Sequence, residues 1–247
     1  MALNSLSFHS KKISQLIEDL NLEDDNNFLT KRIYRPLSYR LSAIFYQLKL
    51  SPNFITFISF IFIVLGFLFT ISDQNSLIIC GFISFVFYHI LDQCDGNIAR
   101  YTSTSSNLGD FLDTIVCYIY LFIHPLSYIF LLASRDQLSI NKFTFLIIGS
   151  CLLPILGRLF YQKSLKYKRE NSSSQQLFKV NKDTKSLKSN LYKIYINIFG
   201  PQGFVTLISF IFALNSSRFL DLVYTYISFI EIILLFFATY FLIKNLK

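Results

Sequence analysis

Between two long apolar runs the chain holds four aspartates, Asp92, Asp95, Asp110 and Asp113, inside the stretch HILDQCDGNIARYTSTSSNLGDFLDTIVC that runs from His89 to Cys117. Asp92, Asp95 and Gly96 stand at i, i+3 and i+4, which puts them on one face of a helix. Asp113 falls in the first turns of the next apolar run, which heads back the other way, so two antiparallel neighbours can aim three carboxylates at one point. Such groups are costly in a membrane, about 2.5–3.5 kcal/mol each at mid-bilayer and less near the surface, and normally have partners. Three converging carboxylates repel one another unless a cation lies between them. Hard oxygen donors favour Mg²⁺ or Mn²⁺, with Ca²⁺ next, and a divalent ion beside carboxylates at membrane level points to a phosphate-bearing substrate. One aspartate here would read as capping or flanking a span; three at these spacings imply chemistry.

The elements that would position them are membrane spans. Of the 247 residues 53% are hydrophobic and 17% aromatic, with Phe alone supplying 28, more than an ordinary soluble domain carries. Apolar runs of about twenty residues, the length that crosses a bilayer, fall near 54–72, 76–98, 108–133, 142–162, 191–214 and 222–243. The expected fold is all-α, a polytopic membrane protein of six transmembrane helices, and an even number of spans leaves both termini on one side. Lys and Arg near span ends are retained in the cytoplasm. On this topology 20 of the 23 basic residues share the side of the termini and the aspartates, and only Arg135, Lys142 and Arg218 fall on the other. The sequence thus predicts a cytoplasmic site and cytoplasmic termini. The net charge of +8 is assigned to topology and anionic headgroups and not to nucleic acid, because no basic stretch is interleaved with base-stacking aromatics.

Residues 1–50 read as a cytoplasmic arm and 51–247 as the membrane domain. The arm lacks the apolar core and small-residue cleavage site of a signal peptide and is expected to stay attached. Its first 27 residues read as polar, loosely helical or partly disordered. Residues 28–50 alternate basic and apolar positions, as a helix lying on the cytoplasmic surface would, with Arg32, Arg35, Arg40 and Lys49 toward headgroups. Ser51, Pro52 and Asn53 read as a helix start, Ser capping and Pro in the first turn. The loop near 163–190, rich in Lys, Ser, Asn and Gln, is expected to be mobile and solvated. Cys80, Cys94, Cys117 and Cys151 show no disulfide or zinc pattern.

The aspartates belong to a longer pattern, D-x2-D-G-x2-A-R-x8-G-x3-D, made by Asp92, Asp95, Gly96, Ala99, Arg100, Gly109 and Asp113. It closely resembles the signature of the CDP-alcohol phosphatidyltransferase family, integral-membrane enzymes that make phospholipids and related phosphodiesters. The resemblance extends to the six-span layout and to PNFIT at the start of the first span, and so covers about residues 50–243. It implies transfer of a substituted phosphate from a CDP-linked donor, CDP-diacylglycerol or a CDP-alcohol, to an alcohol acceptor, with release of CMP. By the same resemblance Asp92, Asp95 and Asp113 would hold Mg²⁺ or Mn²⁺ on the diphosphate. Gly96 and Gly109 would let the nucleotide or a neighbouring helix come close, Arg100 would pair with a phosphate oxygen, and Asn53 and Thr56 would border the nucleotide. A homodimer is expected on the same ground.

The family pattern ends with a further aspartate, taken to be the general base for the acceptor hydroxyl, and that position is Cys117 here. A thiol is a poor replacement, being weakly acidic in apolar surroundings and, as thiolate, too soft for Mg²⁺. Asp110 lies on the wrong side of Asp113 to substitute. His89, one turn deeper than Asp92 and level with Cys117, is the alternative base, against the simpler reading of a histidine bonded between helices. His124 and Glu231 read as packing between helices. Arg158, with Lys163 and Lys166, reads either as positive-inside anchoring or as a pocket for a phosphorylated acceptor such as a polyol phosphate. Two other functions compete with the transferase: a catalytically impaired relative that binds donor and metal as a sensor or partner subunit, favoured by Cys117, and a cation transporter, disfavoured because the acids lie at the interface and not the midplane.

Overall fold

The structure is a computed structural model that describes residues 2–19, 28–136, 138–156, 158–159, 204–215 and 217–246. Every element among the described residues is helical: α1 (Ala2–Asp19), α2 (Arg35–Gln47), α3 (Pro52–Thr70), α4 (Asn75–Tyr101), α5 (Asn107–Asp136), α6 (Ile140–Ile147), α7 (Phe204–Asn215) and α8 (Ser217–Leu246). A π-helical turn, Thr30–Tyr34, leads into α2, and another, Ile148–Leu152, continues α6. Among the described residues three helices, Pro52–Thr70, Asn75–Tyr101 and Asn107–Arg135, are long and apolar enough to cross a bilayer. The outward stripe on α3, Phe57, Ile61, Val64 and Leu68, repeats at helical spacing and is 40–57% exposed, as a surface against lipid would be. The fourth expected span, 142–162, is helical over Ile140–Leu156, and part of its remainder lies outside the described residues. Most of the fifth and the loop near 163–190 lie outside the described residues, while α8 covers the sixth over 30 residues.

Local chemistry explains the joints. Ser51 caps α3 by accepting from the Phe54 amide at 3.3 Å, with Pro52 in the first turn, as the SPN run predicts. Ser106 does the same for α5, accepting from the Gly109 amide at 3.1 Å. A Cβ on Gly66 would meet the Phe85 ring at 2.6–2.8 Å, and one on Gly81 would meet the Gly66 carbonyl at 3.0 Å, so this glycine pair brings α3 and α4 into close contact. At the end opposite the aspartates, Arg135 pairs with Asp73 and Lys142 with Asp221, each at 2.5 Å. Two of the three basic residues expected on the external side are thereby matched by acids.

The arm differs from its expected form. Residues 2–19 make a single helix with Ile13 fully buried, because α1 packs against α2 and the end of α4. Helix α2 docks on α4 through small polar contacts: Asn97 Nδ2 donates to Ser38 Oγ at 3.2 Å, and the Cys94 thiol donates to the Ser38 carbonyl at 3.4 Å. Lys31, Arg32 and Arg40 remain exposed, but Arg35 is half-buried. Burial also pushes the Tyr34 phenol up, so it serves as neutral packing surface above His89.

Candidate active site

Helices α3, α4 and α5 bring most of the motif together at one end of the bundle. Asp92 on α4 and Asp113 on α5 converge within electrostatic range of each other. Tyr88 reaches Asp92 Oδ1 from one turn below at 3.5 Å. Asp95 is 6% exposed; its Oδ2 accepts from Thr56 Oγ1 on α3 and its Oδ1 from the Gly96 amide, both at 2.5 Å. Thr56 thus touches an aspartate and holds that carboxylate in place. Asn53 lies one turn earlier on α3, with Oδ1 3.2 Å from where a Cβ on Gly109 would stand. Arg100 folds back over Gly96, Nη2 lying 2.8 Å from the Cβ position, within electrostatic range of Asp95, Asp113 and Arg35.

Cys117 is met by Arg158, whose Nη1 donates to Sγ at 2.7 Å while its guanidinium lies 5.5 Å from the Tyr118 ring centroid. Arg158 is also within electrostatic range of Asp92 and Asp113. His89 is 1% exposed, with Nε2 3.0 Å from the Tyr120 hydroxyl and its ring among Tyr34, Tyr88 and Tyr120. This aromatic box suits a histidine that bonds between helices, and none of the bonds described there reaches a carboxylate. His124 lies deeper, in contact with Phe85, Tyr120 and Tyr128.

Beside Asn53 opens a cavity of about 450 Å³, lined in part by Tyr46, Lys49, Asn53, Thr102, Thr104 and Ser106. Of these the sequence reading singles out only Asn53 for the site, and Lys49 it assigns to headgroups. The available signal was the capping run at 51–53, which forces a corner between α2 and α3. Arg35 stands within electrostatic range of Arg100.

Among the described residues no three His, Cys, Asp or Glu side chains surround one point closely enough to hold an ion as they stand. The donor chemistry nevertheless fits a divalent cation: every candidate ligand is a carboxylate oxygen, and Asp92, Asp95 and Asp113 lie within electrostatic range of one another, so a cation among them would relieve their repulsion. Asp92 and Asp113 would hold it together with Asp95, whose carboxylate Thr56 and the Gly96 amide orient.

Helices of membrane-crossing length with acidic groups gathered where α4 and α5 meet define an all-helical integral membrane protein with a polar site at one end of its bundle. The chain belongs to the CDP-alcohol phosphatidyltransferase family, whose family model matches residues 49–243. It is 34% identical over 91 residues to the bifunctional IPC transferase and DIPP synthase of Archaeoglobus fulgidus, a match covering 37% of this chain and 18% of that one. It is also 34% identical over 98 residues to cholinephosphotransferase 1 of Saccharomyces cerevisiae, covering 36% of this chain and 25% of the other. The matched stretches are thus a quarter or less of each relative's length.

Proposed function

We propose that the chain transfers a substituted phosphate from a CDP-linked donor to an alcohol, releasing CMP, at the cytoplasmic face of a six-span membrane domain with both termini on that side. The observation that carries this reading is the convergence of Asp92 on α4 and Asp113 on α5, with Asp95 held on the same face of α4 by Thr56. The acceptor oxygen bonds to the β-phosphorus, the bond from that phosphorus to the oxygen bridging it to the α-phosphate breaks, and the hydroxyl proton is lost. A divalent ion on the aspartates would neutralise charge on the diphosphate and the departing CMP. The chain's own residues orient the ends: Asn53 borders the nucleotide, Arg100 faces phosphate oxygens, and Arg158 is placed to meet an anionic acceptor such as a polyol phosphate. With a thiol at position 117, deprotonation falls to a weaker base or to water, so turnover should be slow.

The Arg158 contact with Cys117 also favours a second reading, a relative that binds donor without turning it over. The test is CMP release by the protein in lipid nanodiscs, with CDP-diacylglycerol or soluble CDP-alcohols, a panel of alcohol and polyol-phosphate acceptors, and Mg²⁺ or Mn²⁺. Metal-dependent release supports the transferase; CMP binding without release supports the second reading.

A further inference from the structure

The cavity beside Asn53 has two walls, one from the corner between α2 and α3 and one from the end of α4 and the loop after it. Each wall holds a non-glycine residue in left-handed backbone, Lys49 at φ 56° and Ser103 at φ 54°. Both are left-handed helix ends, closed by the Leu50 amide on the Phe45 carbonyl and the Thr104 amide on the Ala99 carbonyl, and they fix the course of each wall. Lys49 brings a cation, and Thr102, Thr104 and Ser106 bring hydroxyls, a lining suited to a polar, negatively charged ligand.

The arm ties these walls together from outside the part of the chain that matches the family. His9 on α1 sits with Nδ1 3.0 Å from the hydroxyl of Tyr101, at the end of α4, and with its ring 4.8 Å from that of Tyr46, near the end of α2. Tyr46 and Tyr101 in turn meet edge to face at 5.1 Å. One side chain therefore touches both elements whose separation sets the cavity's width, and Tyr46 itself forms part of the lining. Ile13, one turn further along α1, is fully buried and seats the helix.

We propose that α1 is a clamp on the nucleotide end of the donor site, with His9 as the positioning residue that acts through Tyr46 and Tyr101. This rests on the reading that the donor's nucleotide lies beside Asn53. The clamp fixes two aromatic side chains before the ligand arrives, so its loss weakens binding while leaving the phosphoryl-transfer step unchanged.

The test is CMP binding by the full chain in nanodiscs, alongside donor kinetics, for the native protein, His9→Ala, His9→Gln and Tyr101→Phe. His9→Ala should raise the Kd for CMP and the KM for donor together, by about tenfold for two unfixed side chains, with kcat unchanged. His9→Gln, able to bond Tyr101, should recover part of the affinity, and Tyr101→Phe should reproduce part of the loss with the packing kept. Equal CMP affinity in the native protein and all three variants would overturn the clamp alone, as would a loss confined to kcat. A native chain that binds no CMP would remove the donor reading, and the clamp with it.

Discussion

The Arg158 guanidinium lies 2.7 Å from the Cys117 thiol, so the chain beyond α6 brings a cation to the point on α5 where the family pattern has a carboxylate. An aspartate there would be drawn into an ion pair with this arginine. A thiol competes less for its charge, which leaves Arg158 available to an anionic acceptor.

Arg158→Ala should therefore raise the KM for a phosphorylated acceptor with little change in donor KM. Loss of a charge-assisted hydrogen bond is worth about 1.5–3 kcal/mol, or roughly ten- to hundredfold. Steady-state kinetics with phosphorylated and neutral acceptors check this: equal effects on both would mean that Arg158 only anchors the helix end.

Cys117→Asp should increase turnover. A positioned general base contributes about 10²–10⁴-fold, and even partial recovery through the Arg158 pair should exceed tenfold in kcat. The same CMP-release assay reads it, and an unchanged kcat would mean that position 117 is not where the acceptor proton goes.

Thr56→Val removes the hydroxyl that holds Asp95 and keeps the shape of the side chain. Groups that orient metal ligands typically contribute 10–100-fold in metal affinity or activity, so the Mg²⁺ or Mn²⁺ concentration for half-maximal rate should rise by about that much. Metal titrations of native and variant protein decide it.

Two glycines should respond differently to alanine. At Gly66 the new Cβ would meet the fully buried Phe85 ring at 2.6–2.8 Å, and overpacking of this kind costs about 1–3 kcal/mol, seen as a lower unfolding temperature. At Gly96 it would meet Arg100 Nη2 at 2.8 Å, the far end of a flexible chain, so activity should fall while the unfolding temperature holds.

What the sequence makes legible here is what depends on local period. The face shared by Asp92, Asp95 and Gly96, the return of Asp113 on the next helix and the cap at Ser51 all follow from helical geometry and short spacings. The Arg158 contact does not, because 41 residues separate it from Cys117 and only the packing of the chain beyond α6 against α5 brings them together. The docking of α1 is hidden for another reason. Among the described side chains its attachment includes the buried Ile13 and His9 among tyrosines, a signal that average polarity conceals. Arg35 lies within electrostatic range of Arg100 and Lys49 borders the cavity because small residues seat α2 on α4, a packing that spacing along the chain does not show.

The most direct measurement is CMP release from a CDP-linked donor by native protein and Asp113→Asn in nanodiscs, each with Mg²⁺ or Mn²⁺ and after chelation. The proposed chemistry predicts slow, metal-dependent release by the native chain, lost on chelation and in Asp113→Asn at unchanged thermal stability. Release that survives both chelation and the substitution would contradict it.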